Sequence, residues 1–420
     1  MTEVTNQTVG ESSDVVIDTT NELGYSRSAS RQEQFEQAVA ALRRVDCWTD
    51  PLGGKELLNA DLVLEGGGVK GIGLVGAVLV LSEAGYTFPR VAGTSAGAIA
   101  AVLIASISKA GKPMTSLKSY LGSLDFKQFM QTGRVAHWIE DIGSIGKGLV
   151  GASELMLKMG LYSGDYLAEW LGPILADDLG VTTFKDLKIS PADDPGMSLP
   201  AEHQYRVVVH TSDITRAELV RLPWDFNYYG LERDNEQVVR AVRASMSIPF
   251  FFEPVIVQAS PATVTIPGPG TTQSAEHYGG GSVTWVDGGM LANFPIDAFD
   301  RVDGAPPRWP TIGIKLSAQA LEMPKTVACH DTSQEAMRCL RTMMNEWDRY
   351  HVDQTTAART IFVDNLGLSA TQFELTPQQQ DELFLSGVRA ATSFLIEMSA
   401  IGGVPRTVEQ ARRLAGGQNH

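Results

Sequence analysis

The sequence predicts an α/β fold: a central, mostly parallel sheet with helices on both faces. Three observations lead there. Residues 61–84 and 90–109 each read as a short apolar strand, a glycine-rich turn and a helical segment, and a later apolar strand ends in Asp287-Gly288-Gly289. A strand–turn–helix order repeated in close succession implies parallel pairing, because the chain must cross over between neighbouring strands.

Residues 1–33 are polar and rich in Ser, Thr and Asn, and are expected to form a disordered tail. Residues 34–44 place apolar side chains at helical spacing and predict a short amphipathic helix. Residues 61–65 are the first core strand, and 69–84 a helix closed by Gly85, a residue type suited to the position after a helix end. A second strand ends at 90–92, and 96–109 is a second buried helix. The most apolar runs, 72–81 and 98–107, are about half the ~20 residues a membrane-spanning helix needs, so both read as core helices.

Residues 112–180 are mostly helical in pattern, interrupted by Gly143, Gly146, Gly148 and Gly151. With Met130, Trp138, Leu149, Met156, Met159 and Leu161 this stretch is a candidate lid, plain helical core being the alternative. Residues 205–210 form a β-branched strand, 261–281 read by composition as an exposed loop, and 282–286 form the strand that delivers Asp287. The expected organisation is a tail plus short helix at 1–57, a catalytic domain at 58–396 and a C-terminal tail at 397–420.

An apolar fraction of 43% with 20% charged residues is ordinary for a soluble globular chain. The net charge of −15 argues against nucleic acid as a partner, since a phosphate backbone needs a basic footprint. Cys47, Cys329 and Cys339 are too few and scattered for a disulfide framework, which points to a reducing compartment. The N-terminus lacks the basic and apolar regions of a signal peptide, so a cytoplasmic or membrane-peripheral location is expected. The oligomeric state leaves no mark on the sequence.

The chemistry concentrates in the two turns. Gly93-Thr94-Ser95-Ala96-Gly97 lies between an apolar strand and a small-residue helix, the setting of a nucleophile elbow, where the turn is too tight for flanking side chains. Upstream, Gly66-Gly67-Gly68-Val69-Lys70-Gly71 leaves backbone N–H groups uncovered at another strand-to-helix junction, where they can bind an oxyanion. Gly66, Gly68 and Gly71 also fit a dinucleotide fingerprint, but that motif wants an acid near the end of the second strand, where this chain has Ala92-Gly93-Thr94-Ser95. A P-loop fails because Gly71 is followed by Ile72.

A serine hydroxyl needs a base. The order Ser, acid, His leaves His330, His351 and His420 after Asp287, none in a glycine-framed or strand-end setting. His137, His203, His210 and His277 precede the acid and read as surface or satisfied core residues. Asp287 itself ends an apolar strand, is followed by two glycines, and runs into Met290-Leu291-Ala292-Asn293-Phe294-Pro295, too apolar for a hairpin return. Its carboxylate is the better base.

Taken together, 66–71, 93–97 and 287–289, with Ala-Val-Arg-Ala-Ser-Met-Ser-Ile-Pro-Phe-Phe-Phe-Glu-Pro at 241–254 and Asn293-Phe-Pro295, resemble the patatin-like phospholipases, lipid acyl hydrolases with a Ser-Asp dyad. The resemblance runs from about Leu62 to Leu395 and implies the patatin-like three-layer fold. It implies Ser95 as nucleophile, Asp287 as base, and N–H groups of the Gly66, Gly67 and Gly68 turn as the oxyanion site, with Lys70, Gly71, Gly93, Gly97, Gly288 and Gly289 as supporting motif residues. The implied substrate is a phospholipid or other acyl lipid, met at a transient membrane or micelle surface. No metal-ligand cluster is visible in the sequence, so no cofactor is expected and the enzyme reads as calcium-independent. The rival reading is a degenerate hydrolase fold that binds lipid or a partner without turnover.

Overall fold

The computed structural model describes residues 14–49, 56–125, 128, 162, 164–190, 199–267, 273–301, 307–316, 335, 338–339, 342–343, 354–368, 375–407 and 409–411. Strands β1 (Val15–Val16) and β2 (Ser26–Arg27) pair antiparallel ahead of helix α1 (Ala29–Val45). This corrects the expected tail from residue 14 onward. Tyr25 is buried and donates to Glu83 at 2.5 Å, and Arg27 donates twice to the same carboxylate, at 2.8 and 2.9 Å. A polar composition conceals such anchors because their partners lie elsewhere in the chain. Helix α1 starts earlier than the apolar spacing indicates because Ser28 caps it, accepting from Arg31 N at 3.4 Å.

Strands β3 (Trp48–Thr49) and β4 (Glu56–Asn59) lead into β5 (Asp61–Leu64), helix α2 (Ile72–Glu83), β6 (Tyr86–Thr87), β7 (Val91–Thr94) and α3 (Ala96–Lys109). Short helices α4 (Ser116–Gly122) and α5 (Asp165–Pro173) fall inside the candidate lid; Met130, Trp138, Leu149, Met156, Met159 and Leu161 lie outside the described residues. Then come β8 (Val207–Asp213), β9 (Glu218–Leu222), α6 (Val238–Ser245), β10 (Val255–Ala259), β11 (Ala262–Pro267), β12 (Gln273–Tyr278), β13 (Gly281–Asp287), β14 (Thr311–Lys315), β15 (Thr360–Phe362) and α7 (Pro377–Ala400).

The main sheet has eight strands in the order β10-β13-β8-β7-β5-β14-β15, with β9 also on β8. The run from β8 to β15 is parallel, as expected, and β9, β13 and β10 add antiparallel pairs. Every residue of β5, β7 and β14 is buried, so both faces of the sheet's centre are covered, which is why Leu62–Leu64 runs apolar without alternation. The stretch 261–281 is not a plain loop: β11 and β12 pair from Ala262↔Tyr278 to Pro267↔Gln273. The alternation Thr263-Val264-Thr265-Ile266 suits a pleated strand, and it prevails over the surrounding Gly, Pro and Ser.

Helix α2 buries every residue from Gly73 to Leu81, and α7 lies against it. The two backbones touch through glycines: a Cβ at Gly76 would run into the Phe384 carbonyl oxygen, and one at Gly387 into that of Gly73. Gly76→Ala is therefore expected to cost about 3 kcal/mol, the upper end of ordinary overpacking. Unchanged urea stability in that variant would show that the helices separate freely. The expected C-terminal tail is also partly packed: Val404 and Ala411 are buried, and Val404 N donates to Asp46 at 3.0 Å. Among the described residues no helix is long and apolar enough to cross a membrane.

Candidate active site

Strand β8 organises the site. Its Val209–Asp213 stretch pairs with β9 along one edge. The other edge is shared, by β7 up to Thr94↔His210 and by β13 from Asp287↔Thr211 onward. Because β7 runs parallel to β8 and β13 antiparallel, the two strands point at each other and their C-terminal ends meet. Ser95 and Asp287, far apart in sequence, leave the sheet at that junction. Thr94 Oγ1 donates to the Ala292 carbonyl at 3.0 Å, tying the two turns together.

Ser95 has φ 54° and ψ −124°, a conformation that costs a non-glycine residue roughly 1–3 kcal/mol and that observed structures reserve for special turns. The flanking glycines permit it. A Cβ at Gly93 would strike the Gly97 carbonyl, and a Cβ at Gly97 the carbonyls of Leu64 and Glu65. Ser95 Oγ lies 3.6 Å from the Met246 sulfur.

Asp287 is buried, and its Oδ1 accepts from Gly289 N at 2.7 Å. Oδ2 has no hydrogen-bond partner of good geometry among the described residues. Burial raises this carboxyl to about 7, with the Gly289 N–H and the nearby Ser95 hydroxyl pulling the other way. The hydroxyl is thus within the carboxylate's influence while turned toward Met246. Gly288 is a glycine for want of room, since a Cβ there would meet the His210 carbonyl.

The triple-glycine turn faces the same junction. Gly66 N donates to the Asn293 carbonyl at 3.0 Å, and Asn293 Nδ2 donates to the Gly66 carbonyl at 3.1 Å. Gly66 therefore anchors the turn, and its N–H is not available to an oxyanion, a correction to the expected donor set. Gly67 and Gly68 remain. Gly68 has φ +56°, and a Cβ at Gly67 would strike Leu316. Gly68–Gly71 form one 3-10 turn leading into α2, and a Cβ at Gly71 would just touch the Ala96 methyl. Behind the turn, Glu65 accepts from Lys315 Nζ and from Leu316 N. Burial holds the Lys70 ammonium below the usual lysine range, Glu65 offsetting this and Lys315 adding to it.

No described histidine takes part. His210 is fully buried on β8, and burial, helped by the Arg221 charge and opposed by a backbone hydrogen bond to Gly93, brings it down to about 3. It is a core residue as expected, neutral near pH 7, but only half satisfied, since its Nδ1 has no partner among the described residues. His203 stacks on Trp224 at 4.2 Å, and His277 pairs with Thr263 on the β11–β12 hairpin at 2.9 Å. His137, His330, His351 and His420 lie outside the described residues. Among the described residues no group of three or more His, Cys, Asp or Glu is arranged to hold a metal ion.

Sequence reasoning assigned no role to the end of α6. Ser245 Oγ accepts from Ser95 N at 2.8 Å and donates to the His210 carbonyl at 2.6 Å, and the Ser247 carbonyl accepts from Asp287 N at 2.9 Å. The available signal was a Ser-x-Ser pair closing an amphipathic helix just before Ile248-Pro249. The other unread feature is Glu65, a buried charge directly after strand β5.

A family model described as patatin-like phospholipase matches residues 62–300, more than half of the chain. The uncharacterised protein YqhO of Bacillus subtilis (strain 168) is 32% identical over 341 residues, covering 80% of this chain and 97% of that relative. Among solved structures, VipD from Legionella pneumophila is similar at a TM-score of 0.40 and 16% identity, over 84% of this chain and 70% of VipD. The type III effector protein ExoU is similar at a TM-score of 0.36 and 16% identity, over 81% of this chain and 53% of ExoU. The matched span holds both glycine-rich turns and the strand that ends at Asp287, and on that match the chain belongs to the patatin-like phospholipase family of lipid hydrolases.

Proposed function

We propose that the chain is a lipid acyl hydrolase of the phospholipase A or lysophospholipase type. It cleaves carboxylic esters at a membrane or micelle surface through a Ser95–Asp287 dyad, without calcium. What supports this reading is the meeting of two strand ends on β8, one leading to a strained serine and the other ending in a buried carboxylate with one oxygen uncommitted among the described residues.

Asp287 Oδ2 takes the Ser95 proton as Oγ bonds to the ester carbonyl carbon, whose π electrons move onto oxygen. That oxyanion is met by the N–H groups of Gly67 and Gly68. Collapse breaks the ester C–O bond, and the departing alcohol or lysolipid takes the proton from Asp287. A water then gives its proton to the same carboxylate and attacks the acyl-enzyme, and Ser95 leaves protonated. A base is most effective when its pKa is near the working pH, and burial brings Asp287 there.

Only ionised Asp287 accepts a proton, so kcat/KM should rise with pH through a midpoint near 7. Activity at pH 5 is expected roughly 100-fold below that at pH 8. An ordinary carboxylate would place this limb in the acid range; burial moves it to where a histidine would titrate. Assaying a short-chain chromogenic ester and a panel of phospholipids across pH, with and without chelator, tests the reading. A profile flat from pH 5 to 8, or activity lost on chelation, removes it.

A further inference from the structure

We infer that Ser245 is a positioning residue that sets the nucleophile's geometry by occupying the gap where the ladder between β7 and β8 ends. It rests on the serine-nucleophile reading above. Past Thr94↔His210 the next hydrogen bond would join Ser95 N to β8 directly. The Ser245 hydroxyl stands there instead, its oxygen accepting from Ser95 N at 2.8 Å and its proton going to the His210 carbonyl at 2.6 Å. One hydroxyl inserted between two backbones lets β7 diverge from β8 by the width of an oxygen. That is where the chain turns into the positive-φ conformation of Ser95.

The insertion also fixes two directions. The Ser95 N–H is committed to Ser245, so it is not a donor to substrate. The Ser245 proton is committed to His210, so the oxygen presents only a lone pair to the nucleophile's backbone. Ser245 is fully buried, which keeps water from taking the same place. Two residues on, the Ser247 carbonyl holds Asp287 N at 2.9 Å, and the Ser247 hydroxyl accepts from Arg243 at 2.6 Å. One helix end thus locates the backbones of nucleophile and base in a common frame. Ser245 itself touches no reacting atom.

The test measures hydrolysis of a chromogenic ester and the rate at which a fluorophosphonate labels Ser95, in wild type, Ser245→Ala and Ser245→Thr, each normalised to folded protein. In Ser245→Ala, kcat and labelling rate should fall together by about 10- to 100-fold with KM unchanged, and Ser245→Thr, which keeps the hydroxyl, should recover most of both. A structural role alone would lower the melting temperature and leave the labelling rate per folded molecule unaltered, which overturns the inference. If Ser245→Ala does not fold, Ser245→Cys reads the same quantity, because its thiol makes a longer and weaker bond; a wild-type labelling rate there is equally negative. A wild-type protein that does not label at Ser95 overturns the nucleophile reading itself. Labelling of wild type with no change in the variants overturns only the role of Ser245.

Discussion

Asp287→Asn is expected to abolish turnover and at the same time make the protein harder to unfold at pH 8. Loss of the base should cost on the order of 10²- to 10⁴-fold in kcat. The stability gain follows from burial. The carboxyl titrates near 3.8 when exposed and at about 7 when folded, so its contribution is fully present below 3.8 and is lost as pH rises through 7. At pH 8 the folded protein holds a buried charge at a cost of roughly 4 kcal/mol, an upper figure because the surroundings relax. Asparagine keeps an oxygen for Gly289 N and carries no charge. Melting curves should therefore show a variant more stable than wild type at pH 8, with the gap closing toward pH 4. A gap independent of pH, or a variant that still turns over, means that Asp287 is not the buried base.

The second large effect concerns Ser95, where two inactive variants should differ in stability. Ser95→Ala and Ser95→Gly both remove the nucleophile, and hydrolysis should fall on the order of 10⁴-fold or more in each. Both keep the backbone N–H that Ser245 holds. At φ 54°, however, alanine retains the strain and glycine does not. Ser95→Gly should melt higher than Ser95→Ala, by about 1 kcal/mol of unfolding free energy. Equal stability would mean the turn relaxes and the strain is not built in, and activity in either variant would move the nucleophile elsewhere.

What was legible in the sequence was local. The two turns announce themselves because their glycines sit together in short motifs, as at Gly93, where the crowding carbonyl is that of Gly97 four residues on. The core helices were readable because α2 and α3 are apolar on every side, and α3 runs over the predicted residues, Ala96–Lys109. What escaped was set by distant partners. Ser245 reaches its partner Ser95 across 150 positions, and Glu65 reaches Leu316 across 251. No short window contains both members of either pair. The residues around Tyr25 and Arg27 looked like solvent-exposed chain for the same reason, since Glu83 completes them. The strand ends were visible singly; their meeting on one edge of β8 is a property of sheet order.

The glycine contact between α2 and α7 bears on when this protein acquires its chemistry during synthesis. A ribosome releases both glycine-rich turns long before Pro377–Ala400 exists. Until that helix arrives, α2 has an uncovered apolar side. Chains fold as domains rather than strand by strand. With Ser95 as the proposed nucleophile, the nascent polypeptide carries it before the packing of α7 on α2 is complete. On the proposed reading, hydrolysis of lipid then waits until α7 has been made.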